Sequence, residues 1–236
     1  MRDLLKAAGI GLVLGSLLGA FFFTVDLTPV QASAEAVKLD ALLRTYLAIS
    51  GLIFGLVVAF VAYSVIVFRR REAEARGAAF RGHRGLERGW LLVTTALVLI
   101  SAFDATLVLN EVLAPRVGYA QPELEIKGTA RQWSWTYQYP AYGITSAVLV
   151  LEKDRPAVVR VTSTDVVHSL FVPEFRLKFD ALPGLENTMR VVPTVLGAFR
   201  TECAALCGVG HTVMGSDVRV LDSAGFQAWV AEQKSK

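Results

Sequence analysis

Both cysteines of the chain, one of its three histidines and one of its three methionines lie in Glu202-Cys203-Ala204-Ala205-Leu206-Cys207-Gly208-Val209-Gly210-His211-Thr212-Val213-Met214. Thiolate, imidazole and thioether donors set this close on a Gly-rich loop are the ligands that copper selects. Cys207-x₃-His211-x₂-Met214 brings three such donors within reach of one ion. Cys203 adds a second thiolate one short turn upstream. Two thiolates can bridge two copper ions, where a mononuclear blue copper site uses one. Three other readings of the pair stand beside this one. A disulfide is chemically allowed, because this part of the chain is expected outside the cytoplasm. A Cys/His zinc site and an inert buried pair are the others. A copper site here needs one more imidazole, from a different strand. The remaining histidines are His83 and His168. His168 sits in Val166-Val167-His168-Ser169-Leu170-Phe171-Val172-Pro173, which reads as a strand end. A lone histidine there is ordinarily a core residue; beside this loop, a ligand role is favoured.

Such donors need a stiff frame, and residues 116–236 have the pattern of one. Apolar residues recur with period two in short segments set off by Gly, Pro and Asp. The expected strands are Leu124–Gly128, Arg131–Tyr139, Ser146–Leu151, Val158–Thr162, Val167–Val172, Met189–Val195, Ala198–Cys203 and Asp217–Leu221. That many short strands predict an antiparallel sandwich or barrel. A closing helix is expected from Ser223, a good N-cap, through Phe226, Trp229 and Val230. The densest aromatic run is Gln132-Trp133-Ser134-Trp135-Thr136-Tyr137-Gln138-Tyr139. Its alternation places Trp133, Trp135, Tyr137 and Tyr139 on one face. Core packing accounts for such a face. Rings beside a redox metal can also carry electrons.

The first half of the chain is of another kind. The whole is 53% hydrophobic and 19% charged, which is unusual for a soluble protein. The apolar residues are concentrated before residue 115. Residues 1–34 open with Arg2 and Lys6, continue as an apolar run from Ala8 to Val25, and end at Ala32-Ser33-Ala34. That is the grammar of a cleaved secretory signal, and the run also approaches the length of a retained membrane helix. Residues 35–45 are mixed polar and expected to form a short exterior loop. Tyr46–Phe68 reads as a membrane helix that stops at Arg69-Arg70-Arg71. Beyond that stop, Arg76, Arg81, Arg84 and Arg88 outnumber Glu72, Glu74 and Glu87, so this loop is expected in the cytoplasm. Trp90 to about Val112 is the next span, closing a hairpin over 35–115. Asp104 lies within it and is expected to reach solvent at the outer interface. Everything after Pro115 then lies on the external face. The net charge of +3 comes from that one Arg-rich loop and supports no nucleic-acid binding.

Taken together, these motifs make the chain resemble subunit II of the haem–copper oxidases, the subunit carrying the binuclear copper A (CuA) centre. The resemblance rests on two membrane helices around a basic loop, the aromatic run 132–139, the block Asp165-Val166-Val167-His168-Ser169 … Val172-Pro173 … Leu177-Lys178-Phe179-Asp180-Ala181-Leu182-Pro183-Gly184, and the copper loop. It implies an all-β cupredoxin-like Greek-key barrel on a transmembrane anchor of two helices, or three if residues 1–34 are kept. It implies that His168, Cys203, the backbone carbonyl of Ala205, Cys207, His211 and Met214 hold a binuclear copper centre. Trp133, with Trp135 behind it, matches the family's electron-entry position. Glu87 matches a glutamate that opens a proton-uptake path; a charged helix end among arginines is the plainer reading.

The implied partners are a catalytic subunit I bearing haem and CuB, a cytochrome c or cupredoxin donor, and the lipid bilayer. The implied place is a prokaryotic plasma membrane, crossed more than once, with the C-terminal domain on the periplasmic or extracellular face. The implied role is electron entry for dioxygen reduction and proton pumping. The alternatives are a CuA nitric oxide reductase and a copper-less structural subunit of a quinol oxidase. The chain departs from the family at Ala205, where a glutamate commonly helps hold an interface magnesium ion, and at Leu185, where an arginine is common. No Cys-x-x-Cys-His is present, so no fused cytochrome c domain is expected.

Overall fold

The computed structural model describes residues 2–69, 82–115 and 117–235. Two compact units are present, one from Met1–Thr28 and Asp40–Leu107, the other from Pro29–Leu39 and Val108–Lys236.

The first unit is helical. Its elements are α1 (Arg2–Thr24), α2 (Ala34–Val67, whose first turns belong to the other unit) and α3 (Arg84–Leu113). All three are long and apolar enough to cross a membrane. Residues 35–45 are not a loop but the start of α2. The reason is local: Ala, Leu, Glu, Lys and Arg dominate this stretch and are strong helix formers. Ser33 caps the helix, its hydroxyl accepting the Ala36 N–H at 3.0 Å. Helix α3 likewise starts before Trp90, with the His83 ring accepting the Leu86 N–H at 3.1 Å. Asp104 is partly buried rather than turned to solvent, and the Tyr46 hydroxyl donates to it at 3.1 Å. A carboxylate inside an apolar span is costly, and a neighbouring hydroxyl lowers that cost. Arg70, Arg71, Arg76 and Arg81 of the basic loop, with Glu72 and Glu74, lie outside the described residues.

The second unit is a cupredoxin-like β-sandwich. Its strands are β1 (Leu124–Arg131), β2 (Ser134–Tyr139), β3 (Ile144–Ser146), β4 (Leu149–Glu152), β5 (Ala157–Ser163), β6 (His168–Val172), β7 (Leu177–Ala181), β8 (Asn187–Val191), β9 (Gly197–Cys203) and β10 (Gly215–Leu221). They form two five-stranded sheets, β3-β2-β1-β5-β8 and β4-β10-β9-β6-β7. Both sheets are mixed, not purely antiparallel, because β1 runs parallel to β5 and β10 parallel to β4. Period-two alternation reports which side chains face inward; it carries nothing about which strand lies alongside. Leu124, Ile126, Ala130, Val159, Val161, Leu170 and Val220 fill the space between the sheets. Helix α4 (Ser223–Lys234) closes the chain, and its cap is Asp222, not Ser223. The Asp222 carboxylate accepts the Gly225 N–H at 2.7 Å.

The aromatic run breaks where continuous alternation was expected. Arg131 pairs with Ser134, so Gln132-Trp133 forms the two-residue turn of the β1–β2 hairpin. Trp135, Tyr137 and Tyr139 are buried in the core, whereas Trp133 is 41% exposed at the tip. No Gly or Asn-Gly marks this reversal, which is why alternation ran straight through it.

At the opposite margin Glu152 is buried beside Arg155, which donates at 3.0 Å, and Gln121, which donates at 3.1 Å. Burial pushes the Glu152 carboxyl up, but hydrogen bonds from Ser223, Arg155 and Gln121 outweigh it and hold it below the usual range. A carboxyl whose folded pKa is depressed stabilises fully above its unfolded value, about 4.3 for Glu, and loses this as pH falls. Glu152→Gln is therefore expected to destabilise the β-domain by about 1–3 kcal/mol at neutral pH. The gap from the unmodified domain should close as pH drops below about 4. Denaturant unfolding of both proteins at neutral and acidic pH measures this; an equal gap at both would refute it.

Candidate metal centre

The donor residues come from two strands and one loop of the second sheet. Strand β6 lies antiparallel to β9, with Leu170 opposite Cys203. The Ala204 N–H donates to Ser169 O at 3.0 Å, which fixes the end of β9 beside His168. Strands β9 and β10 then close the loop between them, as the Cys203 N–H donates to Met214 O at 3.0 Å. Within the loop a 3₁₀ turn over His211–Val213 brings His211 and Met214 back toward Cys207. Gly208 has φ +119°, a conformation that a residue with a Cβ rarely adopts.

The result is a buried cluster of sulfur and imidazole. His168, Cys203, Cys207 and Met214 are all buried and His211 is half-buried. The Cys203 and Cys207 sulfurs are 3.8 Å apart and both are free thiols. A disulfide would bring them to about 2.05 Å. Around this pair the other donors sort into two ends. Cys203 Sγ is 3.9 Å from His168 Nδ1 and 3.3 Å from the Ala205 carbonyl. Cys207 Sγ is 3.6 Å from His211 Nδ1 and 3.7 Å from Met214 Sδ. Each sulfur thus has one imidazole and one weaker donor. Ligand-capable atoms of His168, Cys203 and Cys207 all lie within 4.8 Å of one another. Burial pushes the Cys207 thiol up to about 11, and the neighbouring Cys203 sulfur adds to this. Such a thiol meets a cation by giving up its proton. The donor set is soft and oxygen-poor, so it suits copper or zinc and not magnesium or calcium.

Residues without a sulfur or imidazole on the loop hold this cluster in place. Asp165 Oδ1 accepts from His168 Nε2 at 2.8 Å, which leaves Nδ1 as the ring atom facing the sulfurs. Asp165 Oδ2 accepts the Gln132 N–H at 2.7 Å. Burial raises the Asp165 carboxyl, but hydrogen bonds from Gln132, His168, Val166 and Ser163 prevail and hold it far below the usual carboxylate range. The Gln132 side chain donates to Cys207 O at 2.7 Å. Trp133 lies flat on the loop: a Cβ at Gly210 would come within 2.5 Å of its indole. Trp135 is buried, its ring 6.3 Å from that of His168. All six sequence-expected metal residues therefore meet here, with both tryptophans against them. Glu87 is elsewhere, exposed in the first turn of α3, where a carboxylate also suits the helix dipole. Residue types alone assigned no role to Asp165, Gln132 or Gly210; the one available signal was Asp165 three residues ahead of His168.

The family described as cytochrome C oxidase subunit II, periplasmic domain, matches residues 144–221. The heme-copper oxidase subunit 2 of Aeropyrum pernix is 32% identical over 200 residues, 77% of this chain and 83% of that protein. This chain belongs to the cytochrome c oxidase subunit II family. Another relative, the cytochrome c oxidase subunit 2 of Thermostichus vulcanus, is 27% identical over 86% of this chain and 77% of its own length. Among solved structures, the periplasmic domain of subunit II of cytochrome oxidase of Bradyrhizobium japonicum is 29% identical. It covers 50% of this chain and 98% of that domain, with a TM-score of 0.47. For a subunit II chain, Ala205 stands out. It offers its carbonyl to the cluster but no carboxylate beside it. The nearest acid in sequence, Glu202, lines a cavity of about 440 Å³ together with Arg200, Thr212 and Gly215.

Proposed function

We propose that this chain is the electron-entry subunit of a haem–copper terminal oxidase. The observation that carries the reading is the two-ended donor cluster. His168, Cys203, the Ala205 carbonyl, Cys207, His211 and Met214 would together hold the copper pair, the thiolates, imidazoles and thioether supplying its soft donors. When bound, such a copper pair supplies a one-electron relay. The residues around it do the rest. Asp165 fixes the His168 ring, Gln132 ties the aromatic turn to Cys207, and the buried frame excludes water and limits movement on redox change. Trp133 is the exposed ring touching the loop, and the electron would enter there with Trp135 behind it. Leu206, Val209 and Val213 on the same loop are 85%, 94% and 74% exposed. Apolar residues so displayed suit docking of a partner. That partner would be cytochrome c or a cupredoxin.

The electron would pass to haem in a catalytic subunit I, which would reduce dioxygen at haem and CuB and pump protons. Glu87 would open a proton-uptake path on the cytoplasmic side. The helical anchor would sit in the plasma membrane of a prokaryote, with the β-domain on the periplasmic or exterior face. The lack of a carboxylate at Ala205 favours one second reading, the copper A subunit of a nitric oxide reductase. The intact Cys203, Cys207, His168 and His211 oppose a copper-less quinol oxidase subunit. The test is to purify the membrane complex through this subunit and compare its uptake of dioxygen and of nitric oxide with a reduced donor. Rapid dioxygen uptake is expected. Nitric oxide uptake with negligible dioxygen uptake would replace the first reading with the second.

A further inference from the structure

We propose that α1 is not removed with a leader but stays in the chain as a third membrane helix, with its glycine face seated on α2. Residues 1–34 carry the marks of a cleaved signal, including Ala32-Ser33-Ala34 as a cutting site, so the two fates exclude each other. Two independent sets of contacts decide between them.

The first lies in the anchor. Gly11, Gly15 and Gly19 recur every fourth residue and are the buried face of α1, together with Ala7. They meet α2 in antiparallel order. A Cβ at Gly11 would lie 2.9 Å from Leu56 Cα, one at Gly15 2.5 Å from Leu52 O, and one at Gly19 2.9 Å from Ala48 O. The fit is reciprocal, since a Cβ on Gly55 would come within 2.4 Å of Gly15 Cα and one on Gly51 within 3.0 Å of Gly19 N. Backbones this close are how small-xxx-small faces hold helices together in lipid, where the hydrophobic effect gives no attraction between them. Polar contacts tie both ends. The Tyr63 hydroxyl donates to Asp3 at 2.8 Å at one end. Arg44 pairs with Asp26 at 3.1 Å, and Thr28 donates to Asp40 at 3.2 Å, at the other. A leader needs an apolar run of roughly 7–15 residues and no fitted face. Helix α1 has 23 residues and such a face.

The second set lies in the β-domain. Ala32 and Ser33 are fully buried. The Ala32 N–H donates to Glu174 O at 2.9 Å, the Thr194 N–H to Ala32 O at 2.9 Å, and the Ala34 N–H to Val192 O at 3.0 Å. Ser33 forms an isolated β-bridge with Pro193 and donates to Phe175 O at 3.2 Å. Cutting after Ala34 would take these three residues out of the domain, uncap α2 and strip buried carbonyls of their donors.

Peptide mapping of the chain, taken from the purified native complex and digested with trypsin, tests this directly. The tryptic peptide from Ala7 to Lys38, which crosses the cutting site, is expected. A chain beginning at Glu35 would overturn the proposal whatever the complex catalyses. A pair of variants tests the glycine face. Gly15→Leu is expected to reduce the membrane-inserted chain several-fold, while Gly9→Leu, where a Cβ meets nothing within 4 Å, leaves it unchanged. Equal levels for the two variants would show that the face is not a packing surface.

Discussion

Cys203→Ser is expected to destroy the binuclear character of the copper site while leaving the domain folded. The backbone bonds that shape the loop, Cys203 N–H to Met214 O and Ala204 N–H to Ser169 O, do not involve the thiol. What would be lost is one of the two thiolates offered to the copper pair, and a serine hydroxyl is a hard, neutral donor in its place. The two-ended geometry makes the outcome asymmetric. Cys203→Ser leaves Cys207 with His211 and Met214 beside it and His168 within reach, the thiolate, two imidazoles and thioether of a blue site. It should retain a single copper of the blue type. Cys207→Ser leaves Cys203 with His168 and the Ala205 carbonyl beside it, while His211 and Met214 are grouped around the lost sulfur. Its copper should bind far more weakly. Electron acceptance from the donor should fall by roughly a hundredfold or more in both. Copper analysis and electron-spin spectra of the reconstituted domains read the difference. Identical spectra from the two variants would contradict the sorting of donors into two ends, and full copper pairs in either would show that no thiolate bridge is needed.

The second large effect is expected at Trp133. Trp133→Ala should leave copper content and spectrum unchanged, because the indole contributes no ligand atom and packs on the loop from outside. Donor oxidation should slow by roughly thirtyfold, the ~2 kcal/mol that loss of an interfacial tryptophan commonly costs. Trp135→Phe is the useful comparison. Trp135 is buried beside His168, so its loss should appear in stability before it appears in donor turnover. If the Trp133 variant keeps its donor rate, the indole is only a lid on Gly208–Gly210. The Gln132 and Asp165 contacts would then serve the metal site alone.

The sequence by itself laid out the donors of the site. Two thiols, an imidazole and a thioether within one loop constrain a metal so tightly that their identity and spacing survive any detail of the fold. It also marked out helices long and apolar enough to cross a membrane, because about 20 uninterrupted apolar residues have few other uses. It determined the buried alternation of β1 and β2 as well. Strand neighbours were out of its reach, since the parallel pairing of β1 with β5 joins segments more than 30 residues apart and leaves no mark on either. So was the hairpin turn at Gln132-Trp133, which has none of the usual turn residues and yet moves Trp133 out of the core and onto the Cys207–Met214 loop. Only the tertiary structure decided that Asp165 orients His168. Only there do the donors fall into two ends around a pair of thiols, and only there do Gly11, Gly15 and Gly19 of α1 find their counterparts on α2. In each case a local pattern states what a residue can do, while its neighbours across the fold, which no local window contains, settle what it does.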